Sequence, residues 1–479
     1  MSAIFVISIL LAYFLILIGI SHFTNKNTSN SSFFTGDKRS PWYLVAFGMT
    51  GAALSGVTFI SVPGETGNTA WSYLVFVIGN AVGYILISRF LLPLYYKLKL
   101  VSIYTYLQKR LGNASYKTGS LFFLLSQTIG ASFRLFLVAG VLQIAFFNTF
   151  NIPFSITVLT TIILIWIYTY KGGIRTIVFT DTIQTVFMIA ALIATIIIIA
   201  KQLNLNVWEL GKVINNHPNS KIFNFDWCSG HFWIKQFLAG IAVTIVMNGL
   251  DQNIMQKNLT CRNTRESQKN MQWFTLSFIV TNILFLCLGV LLYHYAEVKN
   301  INLPVKSDEI FAFLALNHFG IVASVFFLLG ITAAAYSSAD SALTSLTTSF
   351  CVDILNIDIT KPEKKRTKTL VHISFSIILF LVIIIFKEIN DSSVVSSIFK
   401  VAGYTYGPLL GLFAFGMFTK YNIKDKYCPL VCILSPIICY IININSSKWL
   451  WGYQFGFELL ILNGMITFIG LYIIRTNRL

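Results

Sequence analysis

Apolar stretches of about 18 to 28 residues recur along the whole chain between short polar segments, each long enough to cross roughly 30 Å of hydrocarbon as a helix. About 13 are countable, centred near Leu11, Gly51, Ile78, Ala131, Leu164, Ala190, Val243, Leu284, Ala333, Phe380, Tyr406, Leu434 and Ile466. No connection is long enough to house a soluble domain. The pattern predicts a single-domain, all-α membrane protein with about 13 transmembrane helices. Composition agrees, because 56% hydrophobic residues, 11% charged residues and a mean hydropathy of +0.72 lie outside the range of water-soluble globular chains.

Charge adds orientation. Lys26, Lys38, Arg39, Lys97, Lys99, Lys109, Arg110, Lys117, Lys171, Arg175, Lys257, Arg262, Arg265, Lys269, Lys361, Lys364, Lys365, Arg366, Lys368, Lys420, Lys424, Lys426, Arg475 and Arg478 fall in every second connection and in the tail. About 24 basic residues thus lie on one side and about eight on the other, and basic short loops stay cytoplasmic. A multi-pass plasma (inner) membrane protein is expected, with its N-terminus outside and its C-terminus in the cytoplasm. The net charge of +17 is spent in these loops rather than on one soluble face, which argues against a nucleic-acid partner. The lipid bilayer is the expected environment, and the chain is expected to function as a monomer. The first stretch lacks a charged leader and a small-residue cleavage pattern, so it reads as a retained helix. Cys428 and Cys432 have no third ligand beside them in sequence, the Asn30 sequon falls in a cytoplasmic loop, and the scattered histidines form no catalytic spacing. No enzyme activity is expected.

Two stretches are interrupted. Phe47–Gly64 carries glycines at 48, 51 and 56 and ends in Pro63-Gly64, while Met247–Gln252 is a polar, glycine-bearing break. A break in mid-membrane frees backbone carbonyls and is tolerated where they line a cavity or hold an ion; small residues also serve close helix packing. The second break lies five stretches after the first. Corresponding breaks predict two inverted five-helix repeats, over 43–200 and 231–419, with flanking helices over 1–22 and 428–474, and a site near the bilayer midplane where the repeats meet. Ala333–Ser345 sets hydroxyls and a carboxyl on successive helical turns at the same depth, where polar groups need partners.

Six segments, Ala52–Phe59, Ser102–Gly112, Gly172–Gln184, Asp251–Lys257, Tyr336–Ser341 and Tyr404–Phe413, occur in an order and spacing that resembles the sodium/solute symporter family, which includes bacterial galactose, proline and sialic acid transporters. The resemblance spans nearly the whole chain and implies the LeuT-type 5+5 inverted-repeat fold. It also implies secondary active symport by alternating access, with one or two sodium ions as the coupling cofactor. The family's main sodium site falls on the carbonyls of Gly51, Leu54 and Ala334 and the hydroxyls of Ser337 and Ser338. Serine hydroxyls in such helices also bond back to their own backbone.

A second cation site, present in some members, falls on Asp181, Asp340 and Ser341. Here the chain departs from the sialic acid transporters, which have serine where Asp340 stands. The extra charge either tightens a cation site or is neutralised by a proton or an arginine; Asp181 also suits the first turns of a helix. Asp251 and Asp353 read as cytoplasmic helix ends. Ser55 and Thr58, beyond the break, and Asn80 in the third stretch are hydrogen-bonding candidates for the solute, and the resemblance sets Arg134 where the sialic acid transporters hold the substrate carboxylate. Mid-helix arginine costs roughly 2.5 to 3.5 kcal/mol, so Arg134 needs a partner, either a solute carboxylate or an internal pair with Asp340 or Asp181. The expected solute is a small anion such as a sialic acid or a monocarboxylate. Uptake of a neutral sugar or polyol, and a sensor or channel on the same scaffold, are the competing readings. Each sodium crossing 100 mV supplies about 2.3 kcal/mol, roughly fifty-fold accumulation.

Overall fold

The computed structural model describes residues 3–24, 36–145, 147–357, 365–389 and 394–478; Lys26, the Asn30 sequon, Lys361 and Lys364 lie outside them. The described chain is helical almost throughout. Helix α1 (Ala3–Thr24) is followed by α2 (Trp42–Ala53) and α3 (Gly56–Thr69), then α4 (Ser72–Lys97), short α5 (Thr105–Arg110), α6 (Asn113–Ala145) and α7 (Phe154–Gln202). A surface helix α8 (Val207–Asn216) leads to α9 (Trp233–Gly249), α10 (Gln252–Asn258), α11 (Thr264–Lys299), α12 (Ser307–Asn317) and α13 (Ile321–Ser349). The remainder is α14 (Lys365–Ile389), α15 (Val394–Thr405), α16 (Gly407–Phe418), α17 (Cys428–Trp449) and α18 (Leu459–Ile473), with β1 (Tyr421–Ile423) pairing antiparallel to β2 (Arg475–Arg478).

Local chemistry sets these boundaries. Pro41 and Pro153 hold extended backbone just ahead of α2 and α7, as proline's fixed φ allows at a helix start. Asn206 and Glu209 close a capping box on α8, and Asn263 caps α11 by accepting from Glu266 N–H at 2.9 Å. Three helix pairs bend sharply within a membrane-length apolar run: α2 against α3 by 54°, α9 against α10 by 70°, and the α15 segment Ser397–Thr405 against α16 by 44°. With each bent pair taken as one span, up to 10 spans pass by length and composition among the described residues, and the shorter apolar helices Leu11–Phe23, Phe154–Ile167 and Leu459–Ile473 stand where further spans are expected. One connection differs from expectation, since the backbone stays helical through Lys171–Arg175 inside α7.

Helix α13 occupies the centre. From Gly330 to Ser349 every residue is buried, so it is covered all round, as a helix inside a bundle must be. Its small residues admit α7 closely: a side chain at Gly330 would run into Ala191 of α7 and Phe59 of α3. Several described connections rich in lysine and arginine meet at one end. There Arg110 donates to Thr419 O at 2.7 Å, Ala114 N–H donates to Asp425 at 2.7 Å, and Tyr96 donates to Asn258 O at 3.0 Å. At the other end Ser307 donates to Glu65 at 2.7 Å and Trp71 N–H to Lys221 O at 3.0 Å.

Candidate functional site

The α2–α3 break opens the backbone ladder. Leu54 N–H still reaches Thr50 O at 3.0 Å, and the ladder resumes with Phe59 N–H to Ser55 O at 3.2 Å; among the described residues, neither Ser55 nor Thr58 donates its N–H to the carbonyl four residues back, Gly51 or Leu54. Carbonyls released at this depth need another partner. Helix α13 faces the opening with Ser338, whose hydroxyl lies 3.4 Å from Ala52 O and 3.1 Å from Ala334 O. Gly51 also has a packing role, because a Cβ there would collide with the Thr185 hydroxyl of α7.

Ser337 points elsewhere. Its hydroxyl donates to Asp181 Oδ1 at 2.6 Å, and Lys257 Nζ donates to Asp181 Oδ2 at 2.6 Å, with both charged side chains buried. Lys257, which its sequence position assigns to a cytoplasmic loop, therefore sits inside the protein. The 70° turn before α10 folds Gln252–Asn258 back into the bundle, and all seven residues are buried. Asp340 accepts from Ser341 at 3.1 Å. Asp353 sits in a π-turn after α13, accepting from Ser349 at 2.6 Å and from Tyr116 at 2.9 Å.

The α9–α10 break is treated differently. The Tyr95 hydroxyl donates to Gly249 O and the Tyr104 hydroxyl to Leu250 O, each at 2.9 Å, so these freed carbonyls are capped by the protein itself. Asp251 caps α10 through Asn253 N–H at 2.8 Å and accepts from Tyr406 at 2.6 Å. Tyr406 lies at the third bend, so two breaks are joined by one hydrogen bond. The expectation of a cytoplasmic helix end at Asp251 is corrected: it lines an internal cavity.

That cavity has about 830 Å³ of atom-free space, part of it open to solvent, and Ser55, Thr58, Asn80 and Arg134 all line it, together with Gln127, Asp251 and Asn253. The Asn80 amide, with its nitrogen toward α9, donates to Gly240 O at 2.9 Å and to Thr244 at 3.0 Å. Gln127 Nε2 and Asn253 Oδ1 are buried without a hydrogen-bond partner among the described residues. Arg134 forms no ion pair within 4.0 Å among the described residues, although its charge acts on Asp251 and Tyr406. An internal pair with Asp181 is not made, since Lys257 and Ser337 use both oxygens of that carboxylate. Asp251, Asn253, Gln127 and Tyr406 are the residues that sequence reasoning missed. Asp251 lies inside the polar break Met247–Gln252, but in a run whose polarity is that of a loop. A group of metal-ligating type, His217, His294 and Glu297, lies away from this site. There His217 Nδ1 accepts from Asn219 N–H at 3.2 Å, while Nε2 lies 3.5 Å from Glu297 without a hydrogen bond among the described residues.

Known proteins resemble this chain in fold and in sequence. The solved structure of a Na+-coupled sialic acid symporter in a substrate-bound, outward-open state matches with a TM-score of 0.83 at 21% identity, covering 98% of this chain and 97% of the other. A nucleobase-cation-symport-1 family transporter matches with a TM-score of 0.55 at 11% identity, covering 92% and 93%. By sequence, the sodium/sialic acid symporter NanT of Aliivibrio fischeri is 25% identical over 422 residues, 83% of this chain and 80% of that protein. The human sodium/iodide cotransporter is 25% identical over 412 residues, 81% of this chain and 61% of that protein. The family model described as sodium:solute symporter family matches residues 33–424. A match over most of the chain, on a fold whose bent helices bracket one internal cavity, places the protein in the sodium:solute symporter family.

Proposed function

We propose that this chain takes up a small hydroxylated organic acid with sodium, the solute carboxylate docking on Arg134. Family membership supplies sodium-coupled symport of an organic solute by alternating access; the solute's chemistry is read from the cavity. One observation carries the reading, that Arg134 faces the cavity with no carboxylate within ion-pair distance among the described residues. A guanidinium held this way suits bidentate docking of a carboxylate. Asp251, Asn253 and Gln127 add a donor-accepting and amide-rich wall. Such a wall favours hydroxyl groups on the solute over a bare short monocarboxylate, whose apolar remainder would leave those groups unpartnered. The sialic acid symporters among the relatives carry a solute of that kind.

The sodium site of this reading lies at the α2–α3 break, with the Gly51, Leu54 and Ala334 carbonyls and the Ser338 hydroxyl as oxygens and Ser337 linking the site to Asp181. The donor set is neutral and oxygen-only, which suits a small monovalent cation held by backbone at a helix break. Sodium bridging the break and α13 steadies the bend and readies the cavity for solute. The end carrying Arg110, Lys117 and the tail is the cytoplasmic one, and the N-terminus lies outside. The protein works as a monomer.

Uptake into proteoliposomes tests this. Under an imposed sodium gradient, hydroxylated acids accumulate saturably, neutral sugars do not, and Arg134→Lys raises the half-saturating solute concentration about 10- to 100-fold, because each tenfold loss corresponds to about 1.4 kcal/mol. Equal uptake of neutral polyols with Arg134→Lys unchanged overturns the acid, and gradient-independent passive flux overturns the coupling.

A further inference from the structure

The resemblance places a second cation on Asp181, Asp340 and Ser341, where Ser341 donates to Asp340 at 3.1 Å, yet the groups at Asp181 do not fit a sodium ion. A sodium site at that carboxylate needs its oxygens free to turn toward the ion, with neutral oxygens completing the shell. Instead Asp181 Oδ2 meets the Lys257 ammonium at 2.6 Å and Oδ1 accepts from Ser337 at 2.6 Å. Both partners are buried, the lysine 1% exposed and the aspartate 0%, so no bulk water weakens the repulsion that a second cation would meet there. A backbone device holds the lysine in place. The turn at Asp251 sends α10 back into the bundle, its first residues are pinned by Gln252 to Val101 O at 2.9 Å and by Ile103 N–H to Gln252 at 3.0 Å, and Lys257 in its last turn meets Asp181 of α7. On the α2 side Gly48 packs against the base of the same side chain, where a Cβ would lie 3.0 Å from Asp181 Cβ.

We propose that the Lys257 ammonium is the built-in cation of the second site, filling the place beside Asp181 and Ser337 so that this chain binds one sodium ion fewer than a carrier with both sites open. The inference rests on the sodium reading above for the probe ion and for the break site that remains. The site beside Asp181 is then a fixed charge pair that ties α7, α10 and α13 together through Ser337, next to Ser338 at the helix break. Coupling rests on the break site alone, and uptake of a monoanion with one sodium moves no net charge.

Counting bound sodium-22 on the purified full chain tests the proposal without knowledge of the solute. Lys257→Met vacates the ammonium and leaves Asp181 charged, so it binds one sodium ion more than the wild type and its melting temperature climbs more steeply with sodium. Equal counts for the two proteins overturn the proposal. The double variant D181N/K257M, which removes both charges together and guards against a single variant that fails to fold, keeps the wild-type count; a count one lower means that Asp181 holds sodium in the wild type and also overturns it. The result is a difference between proteins. A wild type that binds no sodium at all contradicts the break site of the preceding reading, while a gain by Lys257→Met over that baseline still supports this one.

Discussion

At the scale of single residues, polar groups inside hydrocarbon are the informative ones because each must be accounted for. Ser338 stands between Ala52 O and Ala334 O, where removal of its hydroxyl takes one oxygen from the break. Ser338→Ala is expected to raise the sodium concentration for half-maximal thermal stabilisation about tenfold, as loss of about 1.4 kcal/mol implies. An unchanged sodium midpoint would place the ion elsewhere. What the chain reveals unaided at this scale is uneven. Arg134 and the serines of α13 stand out against apolar neighbours, and the structure sets Arg134 on the cavity with Ser55, Thr58 and Asn80. Lys257 and Asp251 do not stand out, since a run such as Asp251-Gln-Asn-Ile-Met-Gln-Lys257 has the polarity of a loop. Only the 70° turn returns it to the interior, and hydropathy carries no record of a turn's direction.

Among the elements, the three bent pairs divide by how their freed carbonyls are satisfied. Tyrosines fill the α9–α10 break, while the Gly51 and Leu54 carbonyls are left by their own ladder. The glycines of Phe47–Gly64 made the first break readable. The bend at Tyr406 was not expected, although Gly407-Pro408 supplies its cause: proline has no N–H to continue the preceding helix. The α5 region is tied to the second break by three hydrogen bonds, from Tyr104 to Leu250 O, from Gln252 to Val101 O and from Ile103 N–H to Gln252. These bonds close the layer between the cavity and the basic end. The double variant Tyr104→Phe/Gln252→Ala is expected to weaken that layer by about 3 kcal/mol, roughly a hundredfold shift toward an arrangement open at the basic end. Faster backbone hydrogen exchange over 101–104 and 250–255 would register it, and unchanged exchange there would show that the layer is held by other contacts.

Across the whole molecule, hydropathy alone gave the class and the positions of the long helices, because the lipid requirement acts on every span independently. It did not give the continuity of α7, since helical geometry through Lys171–Arg175 depends on backbone bonds that polarity does not report. The outer surface follows the same requirement. Ile437 on α17 is 50% exposed, beside Ile433, Leu434 and Ile441 on the same apolar wall. Ile437→Lys is therefore expected to cost about 2.5 to 3.5 kcal/mol of membrane insertion and to lower the folded yield seen by fluorescence-detected size exclusion, whereas full yield would mean that this wall faces water. The pairing of β1 with β2 has a mechanical result. It closes α17 and α18 into a ring that begins and ends at the basic-end tip of α16, so those two helices travel as ballast with α16 whenever the carrier rocks, and a probe fixed to the last residues reads the position of α16.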